Sequence, residues 1–267
     1  MTTPSPTDLL SLAGRTMLIT GAGQGVGKQT ALVAAAHGAK VVVNDYHLDR
    51  AETVAGEITE AGGTAVALRC DVTDLDEVTG MVERAQATFD GIDILVNNAG
   101  NAGPAQDPMA AAPPFWETGP KEWDPWMGTS FYGVLNGARA VLPGMVERQY
   151  GRVITVISDA GRVGDPNLVV YSGAKAGAAG FSRGLARAVG RHGITVNCVA
   201  LSAIRTRGVA TATENEALVA AMLKQYVIRR LGEPSDAANM ILFLASEASS
   251  WITGQTYPVN GGFALNQ

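Results

Sequence analysis

The chain has few residues of the kinds that build disulfide frameworks and metal centres. Its 267 residues include two cysteines, Cys70 and Cys198, and three histidines. The histidines, His37, His47 and His192, are scattered rather than clustered. Two lone thiols without a C-x-x-C spacing indicate small core residues in a reducing compartment. We therefore expect a cytoplasmic protein that binds no metal.

Charge and long hydrophobic runs are also scarce. Charged residues make up 17% of the chain, the net charge is -5 and no basic run appears, so nucleic acid is not an expected partner. No apolar stretch is long enough to cross a bilayer, which argues against a membrane partner, and the N-terminal residues lack the pattern of a signal peptide. With 46% apolar residues, the chain can fold into one large domain with a substantial core.

Apolar runs alternate with amphipathic helical patterns from one end of the chain to the other. This rhythm predicts a single α/β domain spanning 1–267, with a doubly wound parallel sheet of about seven strands. Strands are expected near 16–20, 40–45, 64–70, 92–96, 151–158, 194–200 and 255–259. Helices are expected near 25–38, 48–62, 74–89, 120–148, 171–191, 207–226 and 234–246.

A glycine-rich segment, Thr20-Gly-Ala-Gly-Gln-Gly-Val-Gly27, joins the first predicted strand to the first predicted helix. Its motif glycines stand at 21, 25 and 27, a spacing that differs from the general G-x-G-x-x-G fingerprint. Glycines at such a turn let the backbone approach a pyrophosphate at the helix N-terminus. The next strand ends in Asp45, about 20 residues on, where a ribose-binding acid is expected. Together these features favour a dinucleotide site over a flexible turn without a ligand.

Two residues with complementary chemistry lie four positions apart in the segment Tyr171-Ser-Gly-Ala-Lys175. On a helix, this spacing places the phenol and the ammonium on one face. A neighbouring ammonium favours the phenolate, so we expect the pKa of Tyr171 to fall below about 10. Such a tyrosine can exchange a proton with an alcohol near neutral pH. The alternative is a solvated surface pair, because the spacing is common on helices.

Two further segments end predicted strands. Val96-Asn-Asn-Ala-Gly100 combines small and amide residues, which let the chain lie close to a nucleotide and supply hydrogen bonds. Asn and Gly are also ordinary choices for a strand-end turn. Ser158 ends an apolar run thirteen residues before Tyr171, and its hydroxyl can hold the oxygen of a substrate.

Taken together, these four segments resemble the short-chain dehydrogenase/reductase family, in which they occur in the same order. The resemblance extends from about Leu12 to Gly262 and implies a Rossmann-type fold. It implies an NAD(P)-dependent oxidoreductase that interconverts a secondary alcohol and a ketone by hydride transfer. A nucleotide-binding sensor or scaffold with little turnover is the alternative.

The resemblance also implies roles for individual residues. Ser158 would hold the substrate oxygen, Tyr171 would exchange its proton, and Lys175 would keep Tyr171 acidic and bind the nicotinamide ribose. Asp71 would contact the adenine side, although a helix or turn cap is nearly as good an interpretation. The implied cofactor-binding residues are Gly21, Gln24, Gly25, Val26, Gly27, Asp45, Asp71, Val72, Asn98, Ala99, Gly100, Tyr171, Lys175, Ile204 and Thr206.

Two positions depart from the family pattern. Ser130 stands where the family usually carries an asparagine that supports a water relay to the lysine. A serine is shorter and offers one donor rather than two, so Ser130 either holds a water or marks an altered relay. We include it among the candidate catalytic residues. Leu201-Ser202 replaces a common Pro-Gly, whereas Ile204 and Thr206 still match positions at the carboxamide end of the cofactor.

The charge of Asp45 predicts NAD rather than NADP as the cofactor. A carboxylate there should pair with the free ribose hydroxyls and repel the extra phosphate of NADP. Gln24 is neutral and offers no cation to offset this repulsion. Arg50 and His47 lie nearby in the sequence, so NADP stays as the less favoured alternative.

We expect the substrate to lie between a loop near 101–120 and a lid near 207–228. An apolar lining would suit a ring alcohol, a steroid-like ketone or an acyl thioester, although apolar residues are more often simply core. Arg205 and Arg207 would meet an anionic group or, as is more common, only solvent. The candidate lining residues are Met109, Phe115, Trp116, Pro166, Leu168, Met222 and Tyr226.

The predicted helix 171–191 carries small residues on more than one face, including Gly173, Gly177 and Gly180. One face must lie on the sheet, and the close approach of a partner helix would explain the other. Tight packing within one subunit is the alternative. Because family members commonly pair through this helix and the last strand, the resemblance implies a homotetramer.

Overall fold

The computed structural model describes residues 9–100, 113–206 and 216–265. Seven strands form one sheet in the order β3-β2-β1-β4-β5-β6-β7, and every neighbouring pair is parallel. This confirms the predicted parallel sheet. The strands are β1 Thr16–Ile19, β2 Lys40–Asp45, β3 Thr64–Arg69, β4 Ile94–Asn97, β5 Gly151–Ser158, β6 Ile194–Leu201 and β7 Thr256–Val259.

Helices cover both faces of the sheet. We number them α1 Gly25–Ala36, α2 Leu48–Glu60, α3 Leu75–Phe89, α4 Pro120–Met127, α5 Gly133–Arg148, α6 Ala160–Val163, α7 Val169–Val189, α8 Glu216–Leu223 and α9 Pro234–Ala245. Helices α1, α2 and α9 contribute to one apolar core, and α3, α5 and α7 contribute to the other. The chain therefore has the doubly wound architecture that the alternation of strands and helices predicted.

The central strands are apolar along their whole length because both of their faces are covered. In β1, Met17 and Ile19 enter the core beneath α1 and α9, whereas Leu18 enters the core on the opposite face. The strand order reverses between β1 and β4, which leaves a crevice at their carboxyl ends. Open sheets of this kind bind ligands in that crevice.

The predicted helix 120–148 is interrupted. A π-helical turn, Gly128–Tyr132, separates α4 from α5 and contains Ser130. A Cβ at Gly133 would lie 2.9 Å from a methyl carbon of Val72, and a Cβ at Gly128 would lie 3.2 Å from a methyl carbon of Thr73. The interruption therefore lies where the helix comes close to the β3–α3 connection, a contact that helical periodicity does not reveal.

The remaining helix boundaries differ little from the expected ones. Helix α7 begins at Val169, two residues before the predicted start, and the predicted helix 207–226 is described only as α8. Residues 207–215 lie outside the described ranges.

Both cysteines are buried and free, as expected. Burial raises the pKa of each thiol, that of Cys70 to about 12, so neither forms a thiolate near neutral pH. Within the described ranges, no helix has both the length and the apolar character required to span a membrane.

Candidate active site

The glycine-rich turn at the end of β1 packs directly on the end of β4. Gly21 has φ +62, and a Cβ there would lie 3.0 Å from the Cα of Ala99. A Cβ at Gly27 would lie 2.4 Å from the carbonyl oxygen of Gly21. A side chain at either position would push the two strand ends apart, so the closeness of this crevice depends on glycine.

The start of α1 has no side-chain cap on its backbone donors and no acidic side chain in its first turn. Gln24 is the N-cap residue and makes no side-chain cap bond, and Val26 and Gly27 in the first turn are buried. A helix N-terminus of this kind attracts an anion through its N–H groups and its dipole. Gly25 has φ +57 and lies close to Thr206, which brings the segment after β6 to the same turn. These features fit the pyrophosphate of a dinucleotide.

Asn98 uses its side-chain amide on the protein rather than leaving it open to the crevice. Its Nδ2 donates to the carbonyls of Thr20 at 2.9 Å and Gly21 at 3.0 Å. In return, the Thr20 hydroxyl accepts from the backbone N–H groups of Asn98 and Ala99, both at 3.1 Å. In this structure Asn98 therefore joins β4 to the glycine turn, and its amide donors are not directed at a nucleotide.

Asp45 lies at the carboxyl end of β2, beside the glycine turn, as predicted. Its Oδ2 accepts from the backbone N–H of Gly23 at 3.0 Å, and its Oδ1 accepts from that of His47 at 3.0 Å. The sequence analysis did not include Gly23 among the site residues. A Cβ at Gly23 would lie 2.7 Å from Asp45 Oδ2 and 2.6 Å from the Cβ of Arg50. Gly23 is a further glycine in the glycine-rich segment, and this is the sequence feature that could have identified it as a site residue.

Asp71 holds a turn, which was the alternative interpretation of this residue. Its Oδ1 accepts from the backbone N–H and the hydroxyl of Thr73, at 2.9 Å and 2.8 Å. The cap of α3 is Asp74, whose carboxylate accepts from the N–H groups of the first turn. Val72 is buried against the start of α5.

The structure brings Ser158, Tyr171 and Lys175 together at the end of β5. The hydroxyl of Ser158 lies beside that of Tyr171, where it favours the phenolate. The ammonium of Lys175 lies 5.7 Å from the centre of the Tyr171 ring and donates to the carbonyl of Val156 at 2.9 Å. Lys175 is only 2% exposed, so this is not a solvated surface pair.

The expected lowering of the Tyr171 pKa is wrong. Burial raises the pKa of Tyr171 above its usual value of 10.0, and the hydrogen bond from Ser158 opposes this only in part. Burial also lowers the pKa of Lys175 from 10.5 to about 8. Desolvation therefore dominates at both groups, because each loses the water that would stabilise its charged form.

Gly100 connects Ser130 to Lys175. The Ser130 hydroxyl is fully buried and donates to the carbonyl of Gly100 at 3.2 Å. A Cβ at Gly100 would lie 2.8 Å from the Lys175 nitrogen. Gly100 thus separates Ser130 from the lysine in space. Ser130 lies near the place where the family resemblance put the missing asparagine, but its described bond is to a backbone carbonyl.

The segment after β6 is held by backbone hydrogen bonds to Gly232. Ile204 forms a parallel bridge with Gly232, and the N–H of Arg205 donates to the Gly232 carbonyl at 2.7 Å. The guanidinium of Arg205 pairs with Glu233 at 2.9 Å. Arg205 therefore already has a carboxylate partner, in agreement with the surface interpretation of this residue.

The predicted substrate lining is only partly brought to the site. Met109 and Arg207 lie outside the described residues. Trp116 is 82% exposed, whereas Tyr226 is 4% exposed and its hydroxyl hydrogen-bonds to Ser202. Tyr226 is thus part of the protein interior in this structure, which corrects its assignment to the substrate lining. The other described candidates are Phe115 and Pro166, which are exposed, and Leu168 and Met222, which are partly buried.

The sequence analysis also missed Trp126. This residue of α4 packs edge-on against Tyr171, with ring centres 5.4 Å apart. A tryptophan on the helix before Ser130 was visible in the sequence, but nothing local indicated that it faces the tyrosine.

A separate cavity of about 540 Å³ lies between α9, β7 and residues 226–232. Its walls include Met240, Phe243 and Pro258, and none of Ser158, Tyr171 and Lys175 lines it. This cavity is therefore distinct from the crevice that holds the candidate catalytic groups.

Comparison with known proteins gives matches over nearly the whole chain. The profile of a family described as enoyl-(acyl carrier protein) reductase matches residues 21–264. The chain is 37% identical to a 7alpha-hydroxysteroid dehydrogenase of Escherichia coli over 255 residues, 96% of each protein. It is 36% identical to a 3-oxoacyl-[acyl-carrier-protein] reductase of Synechocystis, over 96% of this chain and 100% of that protein.

Solved structures match equally broadly. A short-chain type dehydrogenase/reductase from Mycobacterium marinum is 34% identical, with a TM-score of 0.89 over 98% of this chain and 100% of that one. A 7alpha-hydroxysteroid dehydrogenase complexed with NADH and 7-oxoglycochenodeoxycholic acid is 35% identical, with a TM-score of 0.89 and the same coverage. A gluconate 5-dehydrogenase from Burkholderia cenocepacia, in complex with NADP and tartrate, is 30% identical, with a TM-score of 0.90 and the same coverage.

The lowered pKa of Lys175 predicts a pH-dependent effect of Lys175→Met on stability. Between about pH 8 and 10.5, the unfolded state binds a proton at Lys175 that the folded state has lost, so wild-type stability rises with pH. The variant lacks this gain. Its stability relative to wild type should therefore fall by about 3 kcal/mol between pH 7 and pH 10.5. Urea unfolding of both cofactor-free proteins measures the difference, with the exposed Lys121→Met as a control. A difference independent of pH would contradict the shift.

Proposed function

The chain belongs to the short-chain dehydrogenase/reductase family, and on this basis we propose that it is an NAD(P)-dependent oxidoreductase that interconverts a secondary alcohol and a ketone. The observation that carries the proposal is the meeting of Ser158, Tyr171 and Lys175 beside a glycine turn that fits a dinucleotide. A bound nicotinamide would accept or supply the hydride.

Ser158 and Tyr171 would together hold one substrate oxygen. Their hydroxyls lie beside each other, so the oxygen of an alcohol or ketone can be held by both. With its pKa raised, Tyr171 is protonated at neutral pH, and this is the form that donates a proton to a ketone. In the oxidative direction, Tyr171 must accept the alcohol proton, and a cationic Lys175 close to its ring would favour the phenolate.

Ser130 would act on this group by holding Gly100. Its bond to the Gly100 carbonyl supports an altered relay more than a water held by the serine itself. The altered relay is the one feature that favours the alternative function, binding of a nucleotide with little turnover. The meeting of Ser158 and Tyr171 with the buried Lys175 favours an enzyme.

We propose NAD as the preferred cofactor, with NADP as the alternative. Asp45 presents a carboxylate at the end of β2, and the backbone N–H groups of Gly23 and His47 hold its orientation. The relatives do not decide the matter, since one neighbour holds NADH and another holds NADP. The proposed cofactor-binding residues are those of the sequence analysis, with Gly23 added.

A moderately apolar substrate is the best supported class. The similarity to hydroxysteroid dehydrogenases supports a ring alcohol or steroid-like ketone, and the similarity to an acyl-carrier-protein reductase supports an acyl thioester. We also propose that a segment near 101–120 forms a substrate loop, that a segment near 207–228 forms a lid, and that the protein is cytoplasmic.

Turnover should depend on the Tyr171 hydroxyl. Tyr171→Phe removes the proton carrier but keeps the ring, so kcat should fall on the order of 10²- to 10⁴-fold. NADH binding, measured by fluorescence titration, should stay close to wild type.

Turnover would be measured in a substrate screen that uses hydroxysteroids, cyclic alcohols and acyl thioesters with both cofactors, read at the absorbance band of the reduced nicotinamide. A variant that keeps most of its activity would remove Tyr171 from the mechanism, and binding without turnover in wild type would favour the alternative function.

Cofactor preference should depend on the Asp45 carboxylate. Asp45→Ser removes the charge that would repel the extra phosphate, so the ratio of the NADP and NAD dissociation constants should fall roughly tenfold, about 1.4 kcal/mol. Titration of both cofactors measures the ratio, and the exposed Asp49→Ser is a matched control on α2. Wild-type preference for NADP would show that Asp45 does not select the cofactor.

We propose that the protein is a homotetramer that uses the outer face of α7. Ala174 and Ala178 bury one face of this helix on the sheet, whereas a Cβ at Gly173 or Gly184 would meet no atom within 4 Å. Gly184→Gln should therefore fit within one subunit and still prevent the close approach of a partner helix. Light scattering at micromolar concentration should show a tetramer in wild type and smaller species in the variant. Gly56→Gln, also in open space on a helix, is the control. A wild-type monomer would overturn the proposal.

A further inference from the structure

The residue after the candidate catalytic serine is a buried carboxylate with no part in the proposed proton transfer. Asp159 is 2% exposed. Its Oδ1 accepts from the guanidinium of Arg162 at 2.5 Å, and its Oδ2 accepts from the side-chain amide of Asn260 at 2.7 Å. Its backbone N–H donates to the carbonyl of Leu201 at 2.8 Å. Asp159 therefore joins the end of β5 to the chain beyond β7, 101 residues later.

Asn260 organises the turn to which it belongs. Its Oδ1 accepts from the N–H of Gly262 at 3.0 Å, and its Nδ2 donates to the carbonyl of Ala264 at 3.0 Å as well as to Asp159. Gly261 and Gly262 have φ values of +59 and +79, which the turn requires. We call residues 260–264 the C-terminal turn. A single amide thus fixes the C-terminal turn and attaches it to Asp159.

The C-terminal turn in turn holds the end of the proposed lid. The carbonyl of Gly261 accepts from the N–H of Ile228 at 2.8 Å, and the rings of Tyr226 and Phe263 lie 5.3 Å apart. The hydroxyl of Tyr226 accepts from the N–H of Ala203 at 3.2 Å, next to the segment that would meet the nicotinamide. A continuous set of bonds therefore runs from Asp159, the residue after Ser158, to residues 226–228.

We propose that Asp159 is a positioning residue that sets the orientation of Ser158 together with the C-terminal turn and residues 226–228. The catalytic consequence of this inference rests on the proposed function, whereas the bonding of Asp159 to the C-terminal turn does not. Both carboxylate oxygens are used by donors, so Asp159 acts through its bonds and not as an acid or base. Buried carboxylates need such donors, because an unpaired one is strongly unfavourable.

An amide cannot replace this carboxylate without loss of a bond. The side chain in Asp159→Asn has one acceptor and one donor group, so it must direct N–H at either Arg162 or Asn260, both of which are donors. The exchanged pair Asp159→Asn with Asn260→Asp regains the bond between the two positions, because the new amide can accept from Arg162 and donate to the new carboxylate. Asn260→Asp alone would place two carboxylates against each other.

The bonding of Asp159 to the C-terminal turn can be tested without a measurement of enzyme activity. Hydrogen–deuterium exchange of the full-length protein with NADH should be faster in Asp159→Asn than in wild type at residues 226–230 and 260–264. Peptides from β2 should not change. Asp165→Asn is the control, because Asp165 lies in the same connection but its carboxylate accepts locally from the N–H of Asn167. Unchanged exchange at both segments in Asp159→Asn would overturn the inference.

The catalytic consequence is tested by kinetics normalised to the number of NADH-binding sites. Asp159→Asn should lower kcat between about tenfold and a hundredfold, as expected for a displaced catalytic group, with a smaller change in KM. The exchanged double variant should exceed Asn260→Asp in kcat, because it removes the contact between two carboxylates, while both variants lack the bond from residue 260 to the Ala264 carbonyl. A merely structural role would reduce the number of binding sites and leave kcat per site unchanged.

The outcomes separate the two proposals. If wild type turns over and kcat per site is unchanged in Asp159→Asn, or if the double variant is no better than the poorer single variant, Asp159 does not position Ser158. If wild type binds NADH but turns over no substrate in the screen, the proposed function fails. The exchange measurement alone then decides whether Asp159 holds the C-terminal turn and residues 226–228.

Discussion

The burial of one ammonium group at the carboxyl edge of the sheet constrains the rest of the site. Lys175 loses nearly all of its water, and the described compensation is a bond to the Val156 carbonyl and the face of the Tyr171 ring. Such burial is unfavourable for a cation, as the lowered pKa shows. The lysine stays there because α7 is fixed on the sheet by Ala174 and Ala178, which are fully buried.

Residues without side chains make room for this lysine. A Cβ at Gly100 would lie 2.8 Å from the Lys175 Nζ, and a Cβ at Gly161 would lie 2.8 Å from the Lys175 Cβ. The same kind of contact recurs at the glycine turn, where Gly21 touches Ala99 and Gly23 touches Asp45. Close approach of backbone, more than a set of charged side chains, therefore shapes the crevice. This suits a ligand such as a dinucleotide, which needs backbone donors and little space between strand ends.

Charge in the site is controlled by desolvation more than by neighbouring charges. The spacing of Tyr171 and Lys175 correctly placed the two groups together, but it predicted a lower tyrosine pKa, whereas burial raises it. The pairing of an ammonium with a phenol follows from sequence separation on a helix, but the amount of water around each group follows from what packs on them. Trp126, from a different helix, is part of that packing. Asp159 is a similar case, since its bonds to Arg162 and Asn260 satisfy a charge that the sequence shows only as a residue beside a serine.

The sequence by itself determined the approximate positions of the seven strands along the chain, the parallel doubly wound sheet and the choice of Ser158, Tyr171, Lys175 and Asp45 as candidate site residues. These features depend on hydrophobic periodicity and short spacings, which are local properties of the chain. The tertiary structure alone decided the π-helical turn at Ser130, the use of the Asn98 amide on the glycine turn, the burial of Tyr226 and the bond between Asp159 and Asn260. Each of these depends on residues far apart in sequence that meet where strands end. No local pattern records which distant donor or bulky group will be present there, so only the folded chain specifies them.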